Sequence, residues 1–325
     1  MARTLSGISR YLDMALEASV IGSFTRVGPA ARRRLGHWES PSPTPGRVVV
    51  ITGASSGLGK QAAYDLADLG CTIVLVGRDK ARLEEVAKAI RSRGSTAFVE
   101  CADLSDLSQS ADLCERLSGQ LDHIDVLIHN AGALLQTYRL GPQSREVTLS
   151  VHLLSPYILT TRLTPLMASD QPKVITMTSG GMYTEPFVLK RLEMTPEKYR
   201  GSVAYARAKR GQVVLNQALA RREPMGQRTF CAVHPGWAKT PGVSESLPAF
   251  DKLLGPLLRT PQEGVETLVW LSTLPKGEPE SGLLWLDRQR RSPYHLPKTK
   301  VSDETQVAEG NELIAWLDEV TAPFL

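Results

Sequence analysis

From Arg47 onward, short apolar runs alternate with stretches whose apolar residues recur every three or four positions. "RVVVITG" precedes Leu58, Ala62, Leu66 and Leu69; "CTIVLVG" precedes Leu83, Val86, Ala87 and Ile90; "TAFVECADL" precedes Leu107, Ala111, Cys114 and Leu117. "IDVLIHNAG" and "KVITMTS" bracket a further helical stretch, and "RTFCAVHPG" follows a helix at roughly 203–222. The first period suits strands buried on both faces, the second suits helices that cover them. Such an order predicts βαβ units and a parallel sheet. A late strand "GLLWLD" and a helix around 303–320 complete the pattern. The fold class expected is α/β: a doubly wound parallel sheet in a single domain with an N-terminal extension.

The 325 residues are 42% hydrophobic, enough for one large core. No second core is evident, so residues 47–325 are read as one domain. Residues 40–46, "SPSPTPG", read as a Pro-rich linker or extended arm. Residues 1–39 stand apart. Leu5, Ile8, Leu12, Leu16 and Val20 predict an amphipathic helix in an Arg-rich segment. Three readings stay open for it: packing on its own domain, membrane-surface contact, or a mitochondrial presequence. No apolar run approaches the roughly 18 residues of a membrane span.

The net charge of +4 is scattered, and the basic runs Arg32–Arg34 and Arg288–Arg291 are too short for a nucleic-acid footprint. Cys71, Cys101, Cys114 and Cys231 show no CxxC pair, so free thiols in a reducing, intracellular compartment are expected. The histidines have no paired ligand spacing, so no metal site is expected.

"ITGASSGLGK" resembles two phosphate-binding loops. The Walker loop needs a glycine five residues before Gly59 and a hydroxyl after Lys60. Ala54 and Gln61 occupy those positions, so phosphoryl transfer fails on spacing and on Mg²⁺ chemistry. What remains is TGxxxGxG (Thr52, Gly53, Gly57, Gly59) between a strand and a helix. Residues without Cβ allow the backbone to approach a pyrophosphate, and the helix start aims N–H groups at it. After the second strand comes Arg78, where an NAD site usually carries a carboxylate. A guanidinium suits a 2′-phosphate, which favours NADP over NAD. Asp79 either serves the ribose or pairs with Arg82. Asp103 either accepts from the adenine amino group or caps the helix after it.

Tyr205 and Lys209, in "VAYARAKRGQ", lie one helical turn apart on one face. A tyrosine with its usual pKa near ~10 is a poor base at neutral pH; a neighbouring ammonium and an oxidised nicotinamide both favour its phenolate. Such a phenol can exchange a proton with an alcohol or carbonyl oxygen.

The ordered set Thr52, Gly53, Gly57, Gly59; Asn130, Ala131, Gly132; Ser179; Tyr205, Lys209; Pro235, Gly236 resembles the short-chain dehydrogenase/reductase family over roughly 46–290. The long gap from Ser179 to Tyr205 resembles its retinol-dehydrogenase-like branch. The resemblance implies a Rossmann-like fold and hydride transfer between NAD(P) and a carbonyl or secondary alcohol. It implies Tyr205 as general acid/base, Lys209 as its partner and ribose ligand, and Ser179 as hydrogen-bond donor to the reacting oxygen. It places Ser55, Ser56, Leu58, Asn130, Ala131, Gly132, Pro235, Gly236 and Thr240 around the cofactor, Thr240 at the carboxamide. In the same comparison His129 replaces an asparagine and is expected in the cleft wall. His152 replaces the helix asparagine that organises a relay water. It either takes over that task or marks a slow enzyme, with Pro156 bending the helix nearby. Lys60 and Arg210 match no family role and are expected to face solvent. Trp237 lines the substrate mouth or simply packs.

Residues 180–204 and 241–260 are expected to cover the substrate. "VSESLPAFDKLLGPLL" is apolar enough for a lipid-like molecule. The competing expectation is a nucleotide-binding sensor or scaffold with little turnover. A homo-oligomer is compatible with either.

Overall fold

The computed structural model describes residues 7–168, 170, 172–223, 227–240, 252, 254–275 and 277–325. Eight strands form one sheet: β1 (Val48–Thr52), β2 (Thr72–Gly77), β3 (Ala97–Cys101), β4 (Val126–His129), β5 (Lys173–Met177), β6 (Thr229–Val233), β7 (Leu283–Leu286) and β8 (Gln289–Arg291). Their order is β3-β2-β1-β4-β5-β6-β7-β8. β1 to β7 pair in parallel, and β8 runs antiparallel to β7. The chain winds outward from β1 in one direction and from β4 in the other. A crevice therefore opens at the carboxyl ends of β1 and β4, where α/β sheets bind ligands.

Alternate residues of each strand feed opposite layers. Val49, Ile51, Ile73 and Leu75 pack with α4 (Gly57–Asp68), α5 (Lys80–Arg91) and α10 (Pro261–Thr273). Val50, Val74, Val76 and Leu127 pack with α6 (Leu107–Gln120) and α8 (Ser155–Arg162). α9 (Gly201–Arg222) completes this second layer, and α11 (Asp303–Thr321) lies outside it, meeting α8 and α9 in a third apolar cluster. Local signals set the helix starts. Asp79 caps α5, Asp106 caps α6, Ser302 caps α11, and Thr260 with Glu263 forms a capping box on α10. Ahead of α8, a short helix α7 (Val147–Leu149) passes through a π turn, Ser150–Leu154. Pro156, at the start of α8, lacks the N–H that a continuous helix would use there.

The antiparallel β8 was not expected. β7 reaches it by a two-residue turn in which Asp287 (φ 53°) and Arg288 (φ 55°) are both left-handed, the geometry of a type I′ hairpin. No Asn-Gly signal marks the turn, and tertiary ion pairs hold it instead. Asp287 is buried between Arg32 and Arg259, with contacts of 2.7 Å to Arg32 and 2.6 and 2.9 Å to Arg259.

The amphipathic segment at the start is three helices: α1 (Gly7–Ala18), α2 (Val20–Phe24) and α3 (Val27–Gly36). The spacing expectation reverses here. Ile8 and Leu12 face solvent, while Asp13 and Glu17 turn inward onto Arg32 and Arg291. Burial raises both carboxyls, but the cations and hydrogen bonds win: Asp13 falls below its ordinary value and Glu17 falls to about 2. Ser23 Oγ also donates to Glu17. In the arm that follows, Thr44 N–H donates to Leu69 O and Gly46 N–H to Gly70 O, pinning it to the end of α4.

Candidate active site

Every cofactor residue expected from the sequence lies at or just past the carboxyl end of a strand, except Tyr205 and Lys209 near the start of α9. Thr52 ends β1. Its hydroxyl donates to Ile128 O (3.2 Å) and accepts the N–H of Asn130 (3.0 Å) and Ala131 (3.1 Å). The Asn130 amide returns two bonds, to Thr52 O (3.0 Å) and Gly53 O (3.3 Å). β1 and β4 are thus clamped together at the switch point. Behind the clamp the glycine loop is closed tightly. A Cβ on Gly53 would stand 2.7 Å from Ala131 Cα, and one on Gly59 would stand 2.3 Å from Gly53 O. Gly53 (φ 68°) and Gly57 (φ 54°) are left-handed. Ser55, Ser56 and Leu58 complete the turn into α4, and the Ser56 side chain caps none of the helix N–H groups. The glycines let the loop close against Ala131 and its own carbonyl where a Cβ would collide, and the loop's place at the start of α4 suits a dinucleotide pyrophosphate.

Arg78 is exposed beyond β2, and its guanidinium has no partner among the described residues. Asp79 is already engaged: it caps the Arg82 N–H at 3.1 Å and pairs with the Arg82 side chain at 3.3 Å. Asp103 does not cap α6; Asp106 does. Asp103 instead accepts from the N–H and Oγ of Ser105 (2.9 and 2.8 Å).

Ser179 follows β5 by two residues and opens a 3-10 turn, Gly180–Thr184, accepting the Gly181 N–H at 3.4 Å. Tyr205 lies against it. Burial pushes the phenol above its ordinary value, and a hydrogen bond with Ser179 works in the other direction. Lys209 is buried, and its Nζ donates to Met177 O at 2.7 Å, lying 5.5 Å from the Tyr205 ring centroid. Burial lowers Lys209 to about 7. Lys209 commits one of its three donors to the β5 carbonyl and approaches the Tyr205 ring, and within the protein alone burial is the larger influence on the phenol.

His152 sits in the π turn, fully buried, its ring edge-on to Tyr205 at 5.3 Å between centroids. Its Nε2 lies 3.1 Å from Ala133 N and 3.0 Å from Ala133 O, and the tautomer decides which bond forms. The Gln212 amide donates to the His152 carbonyl at 2.9 Å. Burial, then the charge of Lys209, holds the imidazole well below its ordinary pKa. His152 is thus a neutral ring that holds the loop carrying Ala131 and Gly132.

His129 is not in the cleft wall. It faces the interior, with Nε2 2.8 Å from Thr160 Oγ1, and with His152, Gln212 and Asn216 it lines a cavity of about 10 Å3, space for the centre of roughly one water. Arg210 does not face solvent either. It is buried, donating to Glu185 O and Pro293 O. Lys60 instead lies over the Tyr64 ring, 5.7 Å from its centroid.

Pro235 and Gly236 follow β6. Gly236 is left-handed (φ 70°), and a Cβ there would stand 2.1 Å from Arg259 Nε. Trp237 packs edge-on against Phe24, and its backbone N–H donates to Phe24 O at 2.7 Å. Thr240 ends this described stretch, half-buried. Of the expected cover over 241–260, residues 241–251 and 253 lie outside the described residues.

Sequence reasoning missed Phe24 and Arg259. Phe24 packs behind the Ser179 loop, 3.3 Å from where a Gly180 Cβ would lie. Arg259 braces the Gly236 turn and donates to three leader carbonyls, those of Ser23, Phe24 and Thr25. Neither has a periodic or motif signal, since Phe24 packs on the Gly180 turn and Arg259 bonds the carbonyls of Ser23, Phe24 and Thr25, partners far away along the chain.

Comparison with known proteins agrees with this arrangement. The family model for short chain dehydrogenase matches residues 47–249. The chain is 36% identical over 285 residues to human dehydrogenase/reductase SDR family member 12, covering 86% of this chain and 88% of that protein. It is 30% identical over 275 residues to mouse retinol dehydrogenase 14, covering 78% and 81%. Among solved structures, a Beutenbergia cavernae protein provisionally assigned as an NAD(P)-dependent gluconate 5-dehydrogenase, with NADP bound at low occupancy, is 27% identical with a TM-score of 0.60, covering 72% of this chain and 92% of that one. The short chain dehydrogenase from Shigella flexneri shares the fold, with a TM-score of 0.63 at 23% identity, over 79% and 97%. With its glycine cradle, its Ser-Tyr-Lys set and these relatives, the chain belongs to the short-chain dehydrogenase/reductase family of NAD(P)-dependent oxidoreductases.

Proposed function

We propose that this protein is an NADP-dependent reductase or dehydrogenase acting on a carbonyl or secondary alcohol of an apolar, lipid-like substrate. The observation that carries the reading is the meeting of Ser179, Tyr205 and Lys209 beside the β1–β4 crevice. Bound in that crevice, the dinucleotide supplies or accepts the hydride. The Ser179 hydroxyl donates to the substrate oxygen and orients it. The Tyr205 phenol gives that oxygen a proton during reduction, or takes one during oxidation. Lys209, held by Met177 O, stands one helical turn from the phenol and reaches the nicotinamide ribose. The neutral His152 positions the Ala131–Ala133 loop and does not itself donate a proton near neutral pH.

Arg78 supports NADP over NAD: it has no partner among the described residues, while the neighbouring carboxylate of Asp79 is committed to Arg82. Asp103 engages Ser105 through one carboxylate oxygen only, which supports a role toward the adenine amino group, and Thr240 would meet the carboxamide. The apolar stretch 243–258 supports the lipid-like substrate. Four free thiols support a reducing, cytoplasmic compartment. No helix among the described residues is long and apolar enough to cross a membrane. The working division is a leader at 1–39, a linker at 40–46 and a catalytic domain at 47–325, with a membrane surface as the leader's partner.

The test is NADPH oxidation across a panel of aldehydes, ketones and retinoids. At least one substrate should turn over, and Tyr205→Phe should lower its kcat/KM by about 10²–10⁴-fold with NADPH affinity retained. NADPH binding without any Tyr205-dependent turnover would instead select the sensor reading.

A further inference from the structure

Helix α1 is built inside out for a surface helix. A helix on a soluble body normally buries its apolar stripe and exposes its charges. Here Asp13 and Glu17 face the protein, held by Arg32 and Arg291. The opposite face carries Ile8 (78% exposed), Tyr11 (74%), Leu12 and Met14. Ile8, Tyr11 and Leu12 fall at i, i+3 and i+4, so they form one stripe. Ile21 of α2 is also exposed. So is Leu257, whose carbonyl accepts the Arg26 N–H at 2.9 Å.

Within residues 7–36 the exposed charges are of one sign. Both carboxylates there are consumed in the ion-pair cluster, and the exposed charges left are Arg10, Arg26, Arg33 and Arg34. An apolar stripe whose own segment exposes only cations is a poor seat for a second copy of this chain. A two-fold contact would set arginines against their own mates. It suits a surface that is soft, flat and anionic.

We infer that α1 and the start of α2 dock this protein onto the surface of a bilayer containing anionic phospholipid. Ile8, Tyr11, Leu12 and Met14 enter the headgroup boundary, and Arg10 and Arg26 pair with lipid phosphates. The buried cluster of Asp13, Glu17, Arg32, Arg291 and Asp287 fixes the helix with that face outward. Neither signal suffices alone: a short apolar stripe binds reversibly and weakly, and the arginines add an electrostatic hold that salt screens.

The experiment is co-sedimentation of the full chain with phosphatidylcholine vesicles made with and without phosphatidylserine. The wild-type chain should sediment with the phosphatidylserine vesicles, at least tenfold more strongly than with phosphatidylcholine alone, and added salt should release it. Arg10→Glu with Arg26→Glu should weaken binding by fivefold or more per arginine, from about 1 kcal/mol each. Ile8→Glu with Leu12→Glu should abolish it while leaving the melting transition unchanged, since both positions are exposed. Failure of the wild-type chain to sediment with phosphatidylserine vesicles would overturn the inference. So would undiminished binding by either double variant. A dimer in light scattering that Ile8→Glu with Leu12→Glu dissociates, without vesicle binding, would assign the face to self-association instead. None of these readouts depends on turnover.

Discussion

At Arg78 one side chain bears on the choice of dinucleotide. Its guanidinium is unengaged among the described residues and Asp79 is occupied, so Arg78→Ala should raise the KM for NADPH by about tenfold or more, the worth of one charge-assisted contact. The KM for NADH should barely move, and initial-rate kinetics with both cofactors checks this. His152 offers a different kind of test. Its ring braces Ala133 and abuts Tyr205. His152→Asn, which keeps a short donor and acceptor, should retain most activity. His152→Ala should raise the KM for cofactor several-fold more than it lowers kcat. A fall in kcat alone, with a shifted pH profile, would instead make the imidazole a proton carrier. Tyr205 and Lys209 could be paired from their spacing, because a helix places i and i+4 together whatever surrounds it. That Lys209 spends its bond on Met177 O could not be read, because the carbonyl arrives from a strand 32 residues earlier.

Elements were legible in proportion to how local their causes are. The parallel strands and their covering helices follow from periodicity and capping, and the long gap before Tyr205 is filled by three short 3-10 turns. β8 and the orientation of α1 were not legible. Both depend on an ion cluster joining residues 13, 17, 32, 259, 287 and 291, which no window of sequence contains. Arg32 is its hub, nearly without solvent contact. Replacing it with leucine leaves Asp13 and Glu17 short of a buried cation and should cost about 3 kcal/mol. Urea denaturation monitored by fluorescence measures this loss. Asp13→Asn should cost less, since the amide can still accept from Arg32.

Across the whole molecule, the buried histidines set the acid limit. Burial holds His129 at about 3; burial, aided by the Arg259 charge, holds His234 at about 3; His152 is also lowered. Unfolded, each would titrate near 6.5. The unfolded chain therefore binds more protons below that pH, and stability falls as pH drops from about 6.5 toward 3. Each group can contribute up to about 1.4 kcal/mol per pH unit. Above neutrality the sign is the same for Lys209, lowered to about 7, and Lys173, lowered to about 8 by burial. The unfolded chain holds protons there that the fold does not, so stability should rise with pH up to about 8.5, where the thiols of Cys114 and Cys231, raised to about 12 by burial in the fold, begin to ionise in the unfolded chain and oppose the rise. Urea midpoints across this range check both slopes. A midpoint that stays flat between pH 6.5 and 4 would mean that these rings ionise in place.

By itself the sequence determined the class of fold, the crevice at the switch point and the family of NAD(P)-dependent oxidoreductases. Those depend on period, on glycines where a Cβ would collide, and on i to i+4 spacing, all of which act over a few residues. Only the tertiary structure decided which side of α1 faces out, what Lys209 bonds to, and that His129 and Arg210 are interior. Each of those outcomes is an electrostatic or packing balance between groups brought together from distant parts of the chain. Its sign depends on burial, and burial is a property of the assembled fold.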